Sequence, residues 1–356
     1  MRAVPNVVVI GYGFAGRRFH SYLVGLEPGL NLYGVSSRDP QTRELILAER
    51  KCLAFSSYEE VLADDQVDLV VLATPNAQHA PDAIAALGAG KHVVTDKPMC
   101  LTLAQCDAVH QAALQSGRVF SVFQNRRWDG DFMTLQNLLS EGQLGDLRWL
   151  EMAWVNASKP GGWRGENSPG GGRIYDLGAH LLDQCLLVFT EAVTSVFCRL
   201  HRDFGSDQVE SHAMITIGFE DGATAIVDTG SMHHTPKPRI QAFGRSGSYV
   251  KYGRDPQEEA MKQEKIDTAR ESPETFGTLV AGKTEKKVAT LPGRWRNYYE
   301  LIACQITNRP CVHQPVRFEE TRRVMAVIDA AFESAQTGEV VHTAIPALPG
   351  SREGAR

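Results

Sequence analysis

The chain has 356 residues, 43% of them hydrophobic, with a formal net charge of −5 and a pI near 6.1. That length suggests about two domains, and that composition excludes a disordered chain. The charge leaves no electrostatic footprint for nucleic acid, and no run of about 18 apolar residues marks a membrane span, so small molecules are the default partners.

The N-terminal "MRAVPN" passes directly into "VVVIGYG", without a separate apolar segment and small-residue cleavage site, so no export signal is read. The seven cysteines (Cys52, Cys100, Cys106, Cys185, Cys198, Cys304 and Cys311) form no CxxC pair and do not suggest a disulfide framework. A reducing, cytoplasmic setting is expected.

From residue 7 to about 124, β-branched runs alternate with helical patterns: "VVVI", "LYGVS", "LVVLAT", "HVVT" and "VFSVFQ" are separated by segments such as "APDAIAALGAG". That alternation predicts parallel βαβ units. Ser57 with Glu60 and Thr102 with Gln105 have capping-box spacing and mark helix starts. After "NRRWDGDF" the pattern changes. A helix near 131–141 precedes "LRWLEMAWVNA", a glycine-rich stretch, then "SVFCRLHR", "SHAMITIGF", "ATAIVDTG", "RIQAFGR" and "SYVKYG". Closely spaced runs joined by "EDGA" and "RSGS" predict an antiparallel sheet. Residues 253–286 read as a mobile, polar surface excursion, and helical patterns return at "NYYELIACQIT" and "EETRRVMAVIDAAFESAQ". The expected organisation is an α/β chain: a doubly wound parallel domain over 1–124, an α+β domain with a large, mostly antiparallel open sheet over 125–346, and a frayed tail over 347–356.

In "VVVIGYGFAG", Gly11, Gly13 and Gly16 have GxGxxG spacing between a strand and a helix, with Phe14 and Ala15 inside the loop. Glycines there allow a tight turn and close approach of a dinucleotide pyrophosphate to the helix N-terminus. The second strand ends "GVSSRDP". Ser36, Ser37 and Arg38 offer hydrogen bonds and a cationic fork to a 2′-phosphate, favouring NADP, while Asp39 leaves a ribose contact and NAD open. The fourth strand ends "ATPNAQH", with Thr74, Pro75, Asn76 and His79, and the fifth "VVTDKPM", with Asp96 and Lys97. Both ends face the crevice where such sheets bind ligands.

A second constellation lies in "GGGRIYDLGAHLLDQ", Gly170 to Gln184. On a helix, Asp176, His180 and Asp183 share one stripe. Asp176 can orient His180 as a general base, or it is a helix-start acid beside a core histidine. The same stripe, completed by His79 or His212, is a weaker metal candidate; without HExxH or a Cys/His cluster no metal is expected. The adjacent His233 and His234 alternate faces if they lie on a strand, so only one reaches any common site.

Together "VVVIGYGFAG", "ATPNAQHA", "GKHVVTDKP" and "GGGRIYDLGAH" resemble the Gfo/Idh/MocA oxidoreductases over nearly the whole chain. "QNRRWDGDF" and "GSYVKYGRDPQEEAMK" look most like the NADP-dependent scyllo-inositol dehydrogenase branch. The resemblance implies Lys97, Asp176 and His180 as the catalytic set. It places Asn76 and Asn125 near the nicotinamide ribose and Trp163 and Arg164 against the cofactor. Substrate contacts are expected from Lys97, Asp176, His180, Asp183, Arg127 and the "ENS" loop at 166–168. Asp96 departs from the family's usual Glu, and the family often builds the following Lys-Pro bond cis. The implied function is oxidation of a cyclitol or sugar secondary alcohol by NADP in an oligomer formed through the C-terminal sheet. Alternatives are an aldose 1-dehydrogenase, a glycosidase- or lyase-like member with bound NAD(P), and a non-catalytic NADP-binding regulator.

Overall fold

A computed structural model of the chain describes residues 3–165, 169–205 and 209–349, and for Trp163 the backbone alone. The "ENS" loop and the tail beyond 349 lie outside the described residues.

Six parallel strands form the first sheet: β1 (Asn6–Ile10), β2 (Asn31–Ser36), β3 (Leu53–Phe55), β4 (Leu69–Leu72), β5 (His92–Thr95) and β6 (Phe120–Val122). Their order is β3-β2-β1-β4-β5-β6, so the winding reverses between β1 and β4. That switch point is where doubly wound sheets take ligands. Between the strands run α1 (Ser21–Leu26), α2 (Pro40–Arg50), α3 (Tyr58–Ala63), α4 (His79–Gly88) and α5 (Leu103–Ser116). Val7, Val8 and Val9, all of β4, and Val93 and Val94 are wholly buried, as expected for strands covered on both faces. β3 escaped sequence reading because it is three residues long and half-exposed.

Both expected caps form, with one difference. The Ser57 and Thr102 hydroxyls accept the Glu60 and Gln105 N–H groups at 3.2 Å. Glu60 and Gln105 reach back one residue further than the box prescribes, to the N–H groups of Ser56 and Leu101 at 2.9 Å.

The second half begins with α6 (Gly130–Ser140), β7 (Leu147–Val155), α7 (Ala179–Val188), β8 (Val193–His201), β9 (His212–Phe219), β10 (Thr224–Gly230), β11 (Ile240–Gly244) and β12 (Ser248–Lys251). It continues through α8 (Gln257–Lys262), β13 (Gly277–Ala281), β14 (Thr284–Val288), α9 (Arg296–Thr307), α10 (Phe318–Thr337) and β15 (Val341–Ile345). Nine strands pair in the order β14-β13-β12-β11-β7-β10-β9-β8-β15, antiparallel except where β10 meets β7. Alternation sorts the two faces: Leu150, Met152, Ile215, Ile217, Ala225 and Val227 are buried. Trp149, Met214, Phe243 and Val280 point the other way and are 38–40% exposed.

Two compact units result. One comprises the chain up to Asn125 with Glu258–Thr268 and Arg294–Phe318, the other Arg126–Gln257, Ala269–Gly293 and the chain from Glu319. Two late segments therefore belong with the first unit, although the sequence assigned them to the second domain. The polar excursion is also regular structure. It carries α8, β13 and β14, and in the first unit Arg50 pairs with Glu264 at 2.8 Å and the Ile266 N–H donates to Tyr22.

Candidate active site

In the first unit the glycine loop is built by close approach of backbone. Gly11 has φ +95°, and a Cβ there would lie 2.8 Å from the Ala73 carbonyl oxygen. A Cβ on Gly16 would lie 2.0 Å from the Gly11 oxygen, so neither position admits a side chain. Gly13 faces open space, with no atom within 4 Å of its virtual Cβ. The helix that follows opens as a wide π turn, Ala15–His20, before α1. Such turns recur at functional sites. Phe14 is half exposed, with its ring edge-on to Phe19.

At the end of β2, Ser36 is buried and Arg38 is exposed. Arg43 donates to the Ser37 and Arg38 carbonyls at 2.9 Å, bracing the turn. Asp39 caps α2: its carboxylate accepts from Thr42 N and Oγ1 at 3.0 and 2.6 Å, and these bonds hold its pKa down.

The ends of β4 and β5 are tied together by His79. This wholly buried imidazole contacts the Thr74 carbonyl oxygen with Nε2 at 2.9 Å and that of Pro98 with Nδ1 at 2.7 Å. Burial lowers its pKa against those contacts. The Lys97–Pro98 bond is cis. Asp96 Oδ1 accepts the Lys97 N–H at 2.7 Å, and Asp96 Oδ2 lies 3.4 Å from His20 Nε2. Burial opposes the Asp96 charge, but His20, Lys97 and His79 outweigh it and hold the pKa down to about 2. Asn76 and Asn125 are buried, and the Asn125 Nδ2 donor has no hydrogen-bond partner among the described residues.

A nicotinamide dinucleotide fits these residues: an open backbone position at Gly13, a loop too tight for side chains on either side of it, and an unsatisfied buried amide donor.

In the second unit a π turn runs into the helix that carries His180 and Asp183, with Asp176 inside the turn. Residues Ile174–Gly178 form a π turn, with Ala179 N–H bonded to the Ile174 carbonyl, and α7 starts only at Ala179. Asp176 accepts from Arg164 Nε at 3.1 Å and from Arg173 Nη1 at 3.5 Å. The buried His180 ring stacks on Trp154 at 6.1 Å between centroids. Around Trp154, Arg126, Arg254 and Arg239 place their guanidinium carbons 4.2, 4.9 and 5.7 Å from the ring.

Asp183 is committed to a buried ion-pair triad. Arg127 Nε and Nη2 donate to its two oxygens at 2.8 and 2.6 Å, and Nη1 donates to Glu320 at 2.6 Å. Burial pushes the Asp183 carboxyl up against the pull of Arg127, while the two carboxylates outweigh the burial of Arg127 and raise its pKa. Arg127 and Asp183, expected to meet substrate, pair here with one another, and Arg127 also with Glu320. For Trp163 only the backbone, in the short helical turn Gly162–Gly165, is described.

Elsewhere in the second unit, ligand atoms of His212, Asp228 and His233 lie within 4.8 Å of one another, while His234 is exposed. The Asp228 oxygens contact His212 Nε2 at 2.6 Å and Lys237 Nζ at 2.5 Å.

Sequence reasoning missed His20, Tyr299, Trp154 and Glu320. The separations explain why: His20 and Tyr299 are 279 residues apart, and Arg127 and Glu320 are 193 apart.

Comparison with known proteins agrees with this picture. Residues 5–124 match the family described as "Oxidoreductase family, NAD-binding Rossmann fold", and residues 132–250 match the "GFO/IDH/MocA C-terminal domain". The chain is 36% identical over 342 residues to the uncharacterized oxidoreductase YdgJ of Escherichia coli strain K12, covering 93% of this chain and 96% of that protein. It is 32% identical over 345 residues to scyllo-inositol 2-dehydrogenase (NADP(+)) IolW of Bacillus subtilis strain 168, covering 93% and 94%. The solved structure of yvaA from Bacillus subtilis superposes with a TM-score of 0.88 at 28% identity, covering 96% of this chain and all of that one.

Proposed function

The chain belongs to the Gfo/Idh/MocA oxidoreductases and is an NAD(P)-dependent dehydrogenase or reductase, and from that premise we propose that it uses NADP to oxidise a secondary alcohol of a cyclitol or sugar, an inositol above all. The observation that carries the reading is the Asp96–Lys97–Pro98 turn, held at the end of β5 in the same unit as the glycine loop. The scyllo-inositol dehydrogenase relative supports the substrate class.

When bound, the nicotinamide supplies the hydride acceptor. In the proposed reaction the alcohol C–H pair leaves as hydride, the O–H proton goes to His180, and a ketone remains. Lys97 Nζ donates a hydrogen bond to the oxygen as it gains alkoxide character, and His180 Nε2 or Nδ1 serves as the proton acceptor. Trp154 fixes the plane of the imidazole from one side. Asp176, held by Arg164 and Arg173, is assigned to orienting the base and to a substrate hydroxyl. The test is to mix the protein with scyllo-inositol and NADP⁺ and follow the absorbance of reduced cofactor. Accumulation is expected, whereas a transformed substrate without net NADPH would favour a lyase-like member.

For cofactor choice, the commitment of Asp39 to the α2 cap supports NADP, because that carboxylate is bonded to Thr42 while Arg38 stands exposed beside it. Arg38→Ala should weaken NADP(H) more than NAD(H), by about tenfold, the equivalent of a charge-assisted hydrogen bond of roughly 1.4 kcal/mol. Equal losses for the two cofactors, measured by fluorescence titration, would refute the assignment.

The proposed assembly is a homo-oligomer through the face carrying Trp149, Met214, Phe243 and Val280, since a sheet face with such apolar exposure is a common contact surface. Light scattering should report a mass above that of one chain, and Met214→Lys should lower it; a monomeric parent would end the proposal. A cytoplasmic location is likewise proposed, from the cysteine usage; among the described residues no helix is long and apolar enough to cross a membrane.

A further inference from the structure

His20 has no part in the chemistry above, yet it is among the most completely buried ionisable groups of the first unit, with 0% exposure. It is the last residue of the π turn that leaves the glycine loop. Its Nδ1 lies 2.7 Å from the hydroxyl of Tyr299, on α9. Tyr299 is also fully buried, and burial raises its pKa well above the usual tyrosine range, so the hydroxyl keeps its proton. A Tyr299 O–H donated to Nδ1 leaves the imidazole proton on Nε2, which faces Asp96 Oδ2 at 3.4 Å. The other Asp96 oxygen accepts the Lys97 N–H. Around the imidazole is an apolar collar: the Phe123 ring centroid is 4.5 Å away, and Phe123 is edge-on to Tyr298 at 4.8 Å. Tyr298 is anchored in turn by a 2.9 Å bond to Ser121 of β6.

We infer that His20 is a positioning residue: braced by Tyr299, it holds the Asp96 carboxylate against the Lys97 backbone and so fixes the turn that presents Lys97. The Asp96 side chain is only 18% exposed, so losing the imidazole beside it leaves its charge less well compensated and frees the carboxylate to turn to another donor. The link also joins the helix of the glycine loop to the lysine turn through side chains rather than through sequence. A displacement of about 1 Å at a reacting group can cost about 100-fold in rate, which makes so remote a brace consequential.

The inference rests on the proposed role of Lys97, and its test has one arm that does not. His20→Ala, His20→Gln and Tyr299→Phe are compared with the parent for kcat, for KM of the polyol, for NADP affinity, and for hydrogen exchange at the Lys97 amide. The Gln side chain offers an N–H near the place of Nε2, so it serves as the conservative rescue. His20→Ala should lower kcat by about 10-fold, within the ~100-fold that a misplacement of about 1 Å at a reacting group can cost. NADP affinity should hold, the Lys97 amide should exchange faster, and Gln should recover most of both effects. Tyr299→Phe should fall between parent and Ala, and it keeps the question open to test if Ala fails to fold. Unchanged Lys97 amide protection in His20→Ala, or a Gln variant as impaired as Ala, would overturn the inference. Absence of turnover in the parent itself would instead remove the reading of function, while the amide-exchange arm still decides whether His20 holds the turn.

Discussion

Lys97→Ala and His180→Ala should each lose at least ~100-fold in kcat while still binding NADP, the loss expected when a general acid–base group is removed. The two substitutions act on different things. Lys97 sits where β5 ends, its backbone fastened to Asp96, so truncating its side chain removes a donor from an otherwise intact turn. His180 lies buried on α7 against Trp154. Its loss removes the proton acceptor and leaves the glycine loop, in the other unit, unaltered. Because neither residue forms the loop at Gly11 to Gly16, cofactor affinity should survive in both variants. Residues that act as one unit in a reaction are non-additive, so the double variant should be little worse than the poorer single one. Stopped-flow turnover beside fluorescence titration of NADPH checks both halves of the expectation. Undiminished turnover in both variants would refute the catalytic assignment.

Arg127→Ala is expected to be the most damaging substitution for stability. Arg127 joins Asp183 and Glu320 in a triad whose three side chains are each 10% exposed or less. Removing the guanidinium strands two buried carboxylates side by side. Breaking a buried ion pair by deleting one partner costs about 3–5 kcal/mol, because the remaining charge keeps its desolvation penalty. Asp183→Asn should cost less, since it removes one charge and preserves a hydrogen-bond acceptor for Arg127. Denaturant titration of both variants gives the comparison. If Arg127→Ala were as stable as the parent and only its KM for polyol rose, then Arg127 and Asp183 would be substrate contacts after all.

Most strands of the first sheet could be anticipated because parallel strands covered on both faces must be continuous apolar runs, as "VVVI", "LVVL" and "HVVT" are. The strands that escaped lack that signature. β14 is "TEKKV", exposed along most of its length at the edge of its sheet. Lysines protect such an edge from further pairing, and the same lysines make it read as a loop. Of the site, the parts governed by local backbone constraint were legible, notably the glycine spacing and the strand-end Lys-Pro pair. The π turn at Ile174–Gly178 was not, because nothing in "IYDLG" distinguishes it from an ordinary first turn. Asp176, inside it, pairs with Arg164 and Arg173, and Asp183, beyond it, with Arg127. The fates of Asp183 and His20 depend on partners brought from distant sequence by tertiary folding, Glu320 and Tyr299, and no local periodicity encodes those.

The measurement that tests the central claim most directly follows the hydride itself. A panel of inositols and aldoses deuterated at the oxidisable carbons is incubated with NADP⁺ and, separately, NAD⁺, and the reduced cofactor is examined by mass spectrometry. The proposed function predicts that at least one cyclitol or sugar yields NADPH carrying the deuterium together with the corresponding ketone or lactone, faster with NADP⁺ than with NAD⁺. Product formed without labelled free cofactor, or no reduction of NADP⁺ by any member of the panel, would contradict it.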